Sequence, residues 1–139
     1  MTLVKKAVLA IAVLALAACG SMGMGGKSSH VQLTGAEEVP PVSTSAKGDG
    51  SFTIGSDGSV KGSVTTTGVQ GTAAHIHQGA KGQNGPVVVP LTKSGDTYTA
   101  PEGAKLNEAQ MSAYKAGNLY VNVHSAANKG GEIRAQLQP

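Results

Sequence analysis

Tryptophan is absent, phenylalanine occurs once and tyrosine three times in 139 residues. Proteins that grip single-stranded nucleic acid stack bases on aromatic side chains inside a basic groove. This chain has neither a basic run nor interleaved aromatics, so no nucleic-acid partner is expected. Cysteine occurs once, as Cys19. Disulfides within the chain are therefore excluded, and with Cys19 modified no free thiol remains for catalysis. No apolar run is long enough to span a bilayer comfortably; the stretch from Ala7 to Ala17 falls short of the roughly 20 residues needed. Twenty glycines with so few aromatics argue against a helical bundle and for short strands joined by many turns.

The N-terminus has the three parts of a secretory signal: basic Lys5 and Lys6, the apolar run, and the small residues Ala17-Ala18 ahead of Cys19. Leu16-Ala17-Ala18-Cys19 resembles a bacterial lipobox. The resemblance implies removal of residues 1–18 and acylation of Cys19. Buried acyl carbons contribute about 0.8 kcal/mol each, so a multiply acylated cysteine is a stable membrane anchor. Gly20, not Asp, follows Cys19, which resembles the sorting default to the outer membrane of a Gram-negative envelope, with the domain facing the periplasm. Residues 19–29 are expected to form a flexible tether rich in Gly, Ser and Met. Met22 and Met24 offer thioethers suited to Cu(I), although two apolar residues in a linker is the simpler reading. Removing Lys5 and Lys6 lowers the formal charge from +3 to about +1.

From His30 to the end, one domain of all-β class is expected. The chain alternates or runs apolar over His30–Thr34, Gly48–Ile54, Val60–Thr65, Thr72–His77, Val87–Leu91, Thr97–Thr99, Leu119–His124 and Ile133–Leu137. Turn signals separate these stretches, among them Pro40-Pro41, Ser56-Asp57-Gly58 and Asn128–Gly131. About eight strands in an antiparallel Greek-key sandwich or barrel follow from the apolar-in, polar-out alternation. One short helix is expected at about 107–116. Asn107 is its cap with Gln110 in the capping-box position, Leu106 and Met111 form the staple, and Gly117 is the stop.

Three of the four histidines lie in two of these strands: His75 and His77 in Ala74-His75-Ile76-His77, and His124 at the end of Val121-Asn122-Val123-His124. Side chains two apart on a strand share a face, so His75 and His77 project together, away from Ala74 and Ile76. His124 falls on the polar side of its own strand. Three imidazoles suit Cu(II), with zinc as the alternative. Gln78, Asn122, Glu132, Glu37, Glu38 and Arg134 are candidates to orient the rings from behind. His30 is a possible fourth ligand. The simpler alternative is that the imidazoles hydrogen-bond to the polar face and to the glycine-rich loop from Gly79 to Gly85. Glu37 or Glu38 is expected to pair with Arg134, as arginine does bidentately with carboxylates.

Leu33-Thr34-Gly35-Ala36-Glu37-Glu38-Val39-Pro40-Pro41, Ala74–Gly79, Gly85–Leu91, Tyr120–His124 and Gly130–Arg134, in that order, resemble the CHRD domain. The resemblance spans residues 31–138 and carries no general biochemical activity with it. Gly68–Gly71 followed by the His-x-His strand also resembles the copper strand of Cu,Zn superoxide dismutase, and Leu119–His124 resembles a later strand of that enzyme. This second resemblance implies a Greek-key barrel with a mononuclear copper site of His75, His77 and His124 on its outer face, and Arg134 near the position of an active-site arginine. A bridging histidine, a zinc loop and a disulfide have no counterparts here.

Three functions are therefore expected in competition: a copper-binding envelope lipoprotein for storage, delivery or protection; an interaction module recognising another envelope protein without metal; and, ranked below both, a copper-only dismutase in which Arg134 would be catalytic. Other chemistries find little support. Ser125 lacks a nucleophile-elbow pattern, Glu37 and Glu38 would point apart in an extended strand, and the Gly79–Gly85 loop lacks a phosphate-binding signature.

Overall fold

The computed structural model describes residues 26–139. The signal segment 1–18, Cys19, Met22 and Met24 lie outside the described residues. Nine antiparallel strands follow in chain order: β1 (Ser28–Thr34), β2 (Lys47–Ile54), β3 (Val60–Thr67), β4 (Gly71–Gln78), β5 (Val87–Pro90), β6 (Thr92–Ser94), β7 (Thr97–Thr99), β8 (Leu119–Ser125) and β9 (Ile133–Leu137), with one helix, α1 (Glu108–Lys115), between β7 and β8. The sheet order is β5-β4-β8-β9-β1-β2-β3-β7-β6. Its two edges, β5 and β6, are consecutive in the chain and separated only by Leu91. The chain therefore bends at Leu91 from one edge to the other and nearly closes the sheet into a barrel, which leaves little unpaired edge exposed. Consecutive strands form the hairpins β1–β2–β3 and β6–β7, whereas β3→β4 and β7→α1→β8 cross between the halves, giving the expected Greek-key connectivity.

The expected strand over Val87–Leu91 ends at Pro90, and a ninth strand, β6, begins at Thr92. Its residues are all exposed, so no alternation of apolar residues marks it; pairing with β7 creates it. The tether also ends sooner than expected, because β1 begins at Ser28 and the Ser29 hydroxyl accepts from the Gln138 backbone N–H at 3.1 Å.

One face of every strand except β6 fills the barrel. Val31, Leu33, Phe52, Ile54, Val60, Val64, Ala74, Ile76, Val89, Leu119, Val121, Val123, Ile133, Ala135 and Leu137 form a single buried cluster. Burying a Val, Leu, Ile or Phe side chain contributes about 1.5–3 kcal/mol, so this face alone specifies register: a one-residue slip would expose it. In α1 the Asn107 side chain accepts from the Gln110 N–H at 2.8 Å while Gln110 Oε1 accepts from the Asn107 N–H at 2.9 Å. The helix ends with Gly117 at φ +77. The Gly117 N–H bonds to Tyr114 O and the Asn118 N–H to Ala113 O, which satisfies two terminal carbonyls. Asn118 O then accepts from the Gly79 N–H at 2.9 Å, so the helix exit abuts the loop that follows β4.

Candidate metal centre

Strands β4, β8 and β9 are neighbours, and their outward-facing side chains meet under two loops. The β4–β8 register sets His75 opposite Asn122, His77 opposite Tyr120 and Ala73 opposite His124. His124 is thus the diagonal cross-strand neighbour of His75, a spacing long side chains bridge. Ring centroids are 4.9 Å apart for His75–His124, 5.4 Å for His75–His77 and 5.9 Å for His77–His124. One ring nitrogen from each residue lies within 4.8 Å of the others. The three histidines thus come together, to within 4.8 Å rather than the about 3–4 Å expected of a formed metal site.

Hydrogen bonds decide which nitrogens are available. His77 Nδ1 lies 3.0 Å from Gly85 O, and His124 Nδ1 lies 2.7 Å from Lys129 O. A carbonyl only accepts, so both Nδ1 atoms carry the proton and both Nε2 atoms present lone pairs. His75 Nδ1 sits 3.0 Å from His124 Nε2; with that lone pair as acceptor, the metal-free pair is joined by the His75 Nδ1–H. His77 Nε2 is buried with no hydrogen-bond partner. The candidate ligand atoms are His75 Nδ1, His77 Nε2 and His124 Nε2, of which His75 Nδ1 must first pass its proton to Nε2. Metal–nitrogen bonds of about 2.0–2.1 Å place coordinating nitrogens about 3–4 Å apart. The 3.0 Å pair already satisfies this, while the set as a whole spans up to 4.8 Å. The set consists only of neutral nitrogen donors. His75 and His124 are half-buried and His77 is buried, so the cluster opens to solvent on the His75–His124 side.

Burial, followed by the proximity of His124 and His77, holds the His75 imidazole below its ordinary basicity. His77 is also lowered, chiefly by burial, against an opposing pull from the Gly85 carbonyl. Both rings are thereby kept neutral, the form that binds metal.

The surrounding groups sort differently from expectation. His30 is exposed on the outer face of β1 and contacts Asp49 at 3.1 Å, away from the cluster. As a fourth ligand it is a correction: position 30 is outward on a strand that pairs with β2 and, at its far end, β9. Gln78 is exposed, and among the described contacts only its backbone is engaged, its N–H donating to Pro86 O at 3.0 Å. Glu132 is buried and accepts from Ser125 Oγ at 3.0 Å and Asn128 Nδ2 at 2.9 Å. It pins the turn whose Lys129 carbonyl orients His124, so its contribution is one step removed from the ring. Asn122 lies between the strands' polar groups and donates to Gly130 O at 3.4 Å.

The expected carboxylate–Arg134 pair does not form. Glu37 turns outward to Lys81 at 3.6 Å. Glu38 turns inward, 4% exposed, beside Asn122. Burial pushes its carboxyl up to about 7, against the opposing pull of the Arg134 charge. Arg134 is 1% exposed, and its guanidinium donates to Gln83 O at 2.7 Å, Ala80 O at 3.1 Å and Asn84 Oδ1 at 3.2 Å. Its hydrogen-bonding capacity is spent on the Gly79–Gly85 loop rather than on an acid.

Tyr120 and Asn84 had no role assigned from the sequence, whereas the expected alternative of imidazoles bonding to the Gly79–Gly85 loop holds for His77, through Gly85 O. The Tyr120 ring stacks on His77 at 4.8 Å with 3° between planes, and the Arg134 guanidinium carbon lies 3.4 Å from the Tyr120 centroid. Strands β4 and β9 flank β8, so the tyrosine is sandwiched between imidazole and guanidinium. The only signal for Tyr120 was its alternation with Asn122 and His124.

A nearly closed antiparallel barrel carrying three histidines on one outer face, under loops, defines the class. The CHRD domain model matches residues 30–137, and the chain belongs to the CHRD domain family. Comparisons with curated proteins and with solved structures gave no match.

Proposed function

We propose that this domain binds a single copper ion through His75 Nδ1, His77 Nε2 and His124 Nε2, and that it does so tethered to a bacterial envelope membrane through Cys19. The observation that carries the reading is that one ring nitrogen from each of the three histidines lies within 4.8 Å of the others, with His77 Nε2 buried and unpaired. Leaving a buried acceptor unpaired costs about 1–3 kcal/mol, and a metal ion would remove that penalty. Copper is favoured over zinc because divalent affinity at nitrogen sites peaks at Cu(II). When bound, the ion would supply a one-electron redox couple at a site partly open to solvent. Storage, delivery or protection fits this donor set, which has no anionic ligand.

The test is copper and zinc content and affinity of the purified protein beside a His75→Ala/His77→Ala variant. One equivalent of tightly held copper, lost in the variant, is expected; no stoichiometric binding, or binding the variant retains, overturns the reading. Membership of the CHRD family by itself supports an interaction module of the envelope, and a failed copper titration would leave that alternative standing. Superoxide consumption by the copper-loaded protein separates the dismutase reading; the burial of Arg134 under its loop weighs against it. Replacement of Cys19 by Ser should release the protein from the membrane fraction, and retention would overturn the lipid anchor.

A further inference from the structure

The segment from Gly79 to Pro86 contains no helix or strand, yet its carbonyl at Gly85 determines which nitrogen of His77 is free. Something outside the segment must hold it in place. At the start of the segment Gln136 Nε2 donates to Gly79 O at 2.7 Å, and Arg134 ties its middle at three points. Its guanidinium gathers two backbone carbonyls, Ala80 O and Gln83 O, and one side-chain oxygen, Asn84 Oδ1. Tyr120 adds a further tie, its hydroxyl accepting the Gly85 N–H at 3.1 Å. Asn84 passes the constraint outward by donating to Val39 O at 2.8 Å, which joins this loop to the one carrying Glu38.

We propose that Arg134 is a positioning residue for the three-histidine site: by holding the 79–86 loop it keeps Gly85 O on His77 Nδ1, so that His77 Nε2 stays unprotonated and aimed at the site. The proposal rests on the copper reading above for its consequence, but its cause lies in the metal-free protein. Arginine is required because its planar fork serves several acceptors in fixed directions, whereas a lysine ammonium is a compact point charge that cannot span the same three oxygens. Tyr120 is the companion element: stacked between His77 and Arg134, it transmits the guanidinium position to the ring plane and anchors Gly85 directly.

Two measurements on Arg134→Lys and Tyr120→Phe test this. The first is the His77 tautomer in the metal-free protein, read from ring nitrogen chemical shifts. Wild type should show a single Nδ1-protonated form, and both variants should show a mixture of tautomers. The second is copper affinity by competition with a chelator of known affinity, expected to fall about 10–100-fold in Arg134→Lys, the range found when groups that orient ligands are altered. Tyr120→Phe keeps the ring stack and removes only the tie to Gly85, so it carries the test if Arg134→Lys unfolds. Folded variants that keep a pure Nδ1-protonated His77, with affinity within threefold of wild type, overturn the proposal. If wild type binds no copper, the tautomer measurement still decides it, so failure of the metal reading and failure of this inference are distinguishable.

Discussion

Replacing Glu38 with Gln should stabilise the protein at alkaline pH while having little effect in acid. Glu38 sits on the loop that covers the β4–β8–β9 face, 4% exposed, and one carboxyl oxygen has no hydrogen-bond partner. Burial raises it from 4.5 to about 7, with Arg134 and Asn122 opposing. A raised carboxyl means that the fold binds the proton more tightly than the unfolded chain does. The resulting stability is fully present below pH 4.5 and is lost as pH rises through about 7. At 1.36 kcal/mol per pH unit, the loss is about 3 kcal/mol, or about 10 °C in Tm for a domain of this size. Gln preserves the shape and removes the titration. His75 and His77 act in the opposite sense: held below 6.5, they contribute stability above that pH which is lost as pH falls. Their contribution cancels in the difference between variant and wild type. Urea denaturation of both proteins from pH 4.5 to pH 8 should therefore show the variant gaining on wild type by about 3 kcal/mol across the window. A difference that stays level within about 0.5 kcal/mol would refute the claim that Glu38 is buried with its proton.

Three further outcomes follow from the same contacts. Gly85→Ala would drive a methyl group into the Gln78 carbonyl, so the loop must shift and give up both the Tyr120 and His77 bonds; a loss of about 2–3 kcal/mol in urea denaturation is expected. Asn107→Ala removes one half of the capping box and should cost about 1 kcal/mol by the same assay, with copper affinity unchanged, because α1 does not touch the histidines. Copper affinity should be level from pH 8 to about 6.5 and fall below that, since protons compete for imidazole lone pairs and burial holds His75 and His77 below their ordinary value. An affinity already falling between pH 8 and pH 7, measured by isothermal titration, would contradict that electrostatic picture.

What could be read ahead of the structure was governed by local periodicity. Leu119, Val121 and Val123 alternate with Tyr120, Asn122 and His124, and that rule alone put His75, His77 and His124 on the outside of the barrel. The helix was legible for a similar reason: Asn107, Gln110 and Gly117 act on their own neighbours through the backbone. Contacts between distant segments were not legible. Arg134 and Gln83 are 51 positions apart, and no pattern shows that a guanidinium will prefer loop carbonyls to the acids at Glu37 and Glu38. The adjacency of those two acids did imply opposite directions, and they do diverge, one to Lys81 and one into the polar interior of the face. Which of them turned inward depends on how the loop from Gly35 onward packs on β9. Strand β6 was missed because its three residues are all solvent-facing, so its hydrogen bonds to β7 define it and its side chains do not.

The tautomers on this face bear on the proposed reading of the cluster as a ligand site. An imidazolium needs acceptors at both nitrogens. Here the close acceptors are the carbonyls at Nδ1, for both His77 and His124; the opposite nitrogen of His124 meets His75, and His77 has only the Asn122 side chain beside it. A proton added to His77 Nε2 would enter a buried position, with the Asn122 side chain as its hydrogen-bonding neighbour, beside a second imidazole and within reach of the Arg134 charge. The face therefore discourages protons while presenting lone pairs, although both choices leave polar atoms poorly satisfied in the metal-free protein. Two separate backbone carbonyls, from a loop after β4 and a turn after β8, impose the same tautomer on two different rings. Hydrogen bonding for its own sake would be served by either tautomer, and by glutamine or asparagine as well. The shared tautomer, the depressed basicity and the buried unpaired nitrogen are compatible with a cation at this face, one that binds once the His75 Nδ1 proton has moved to Nε2.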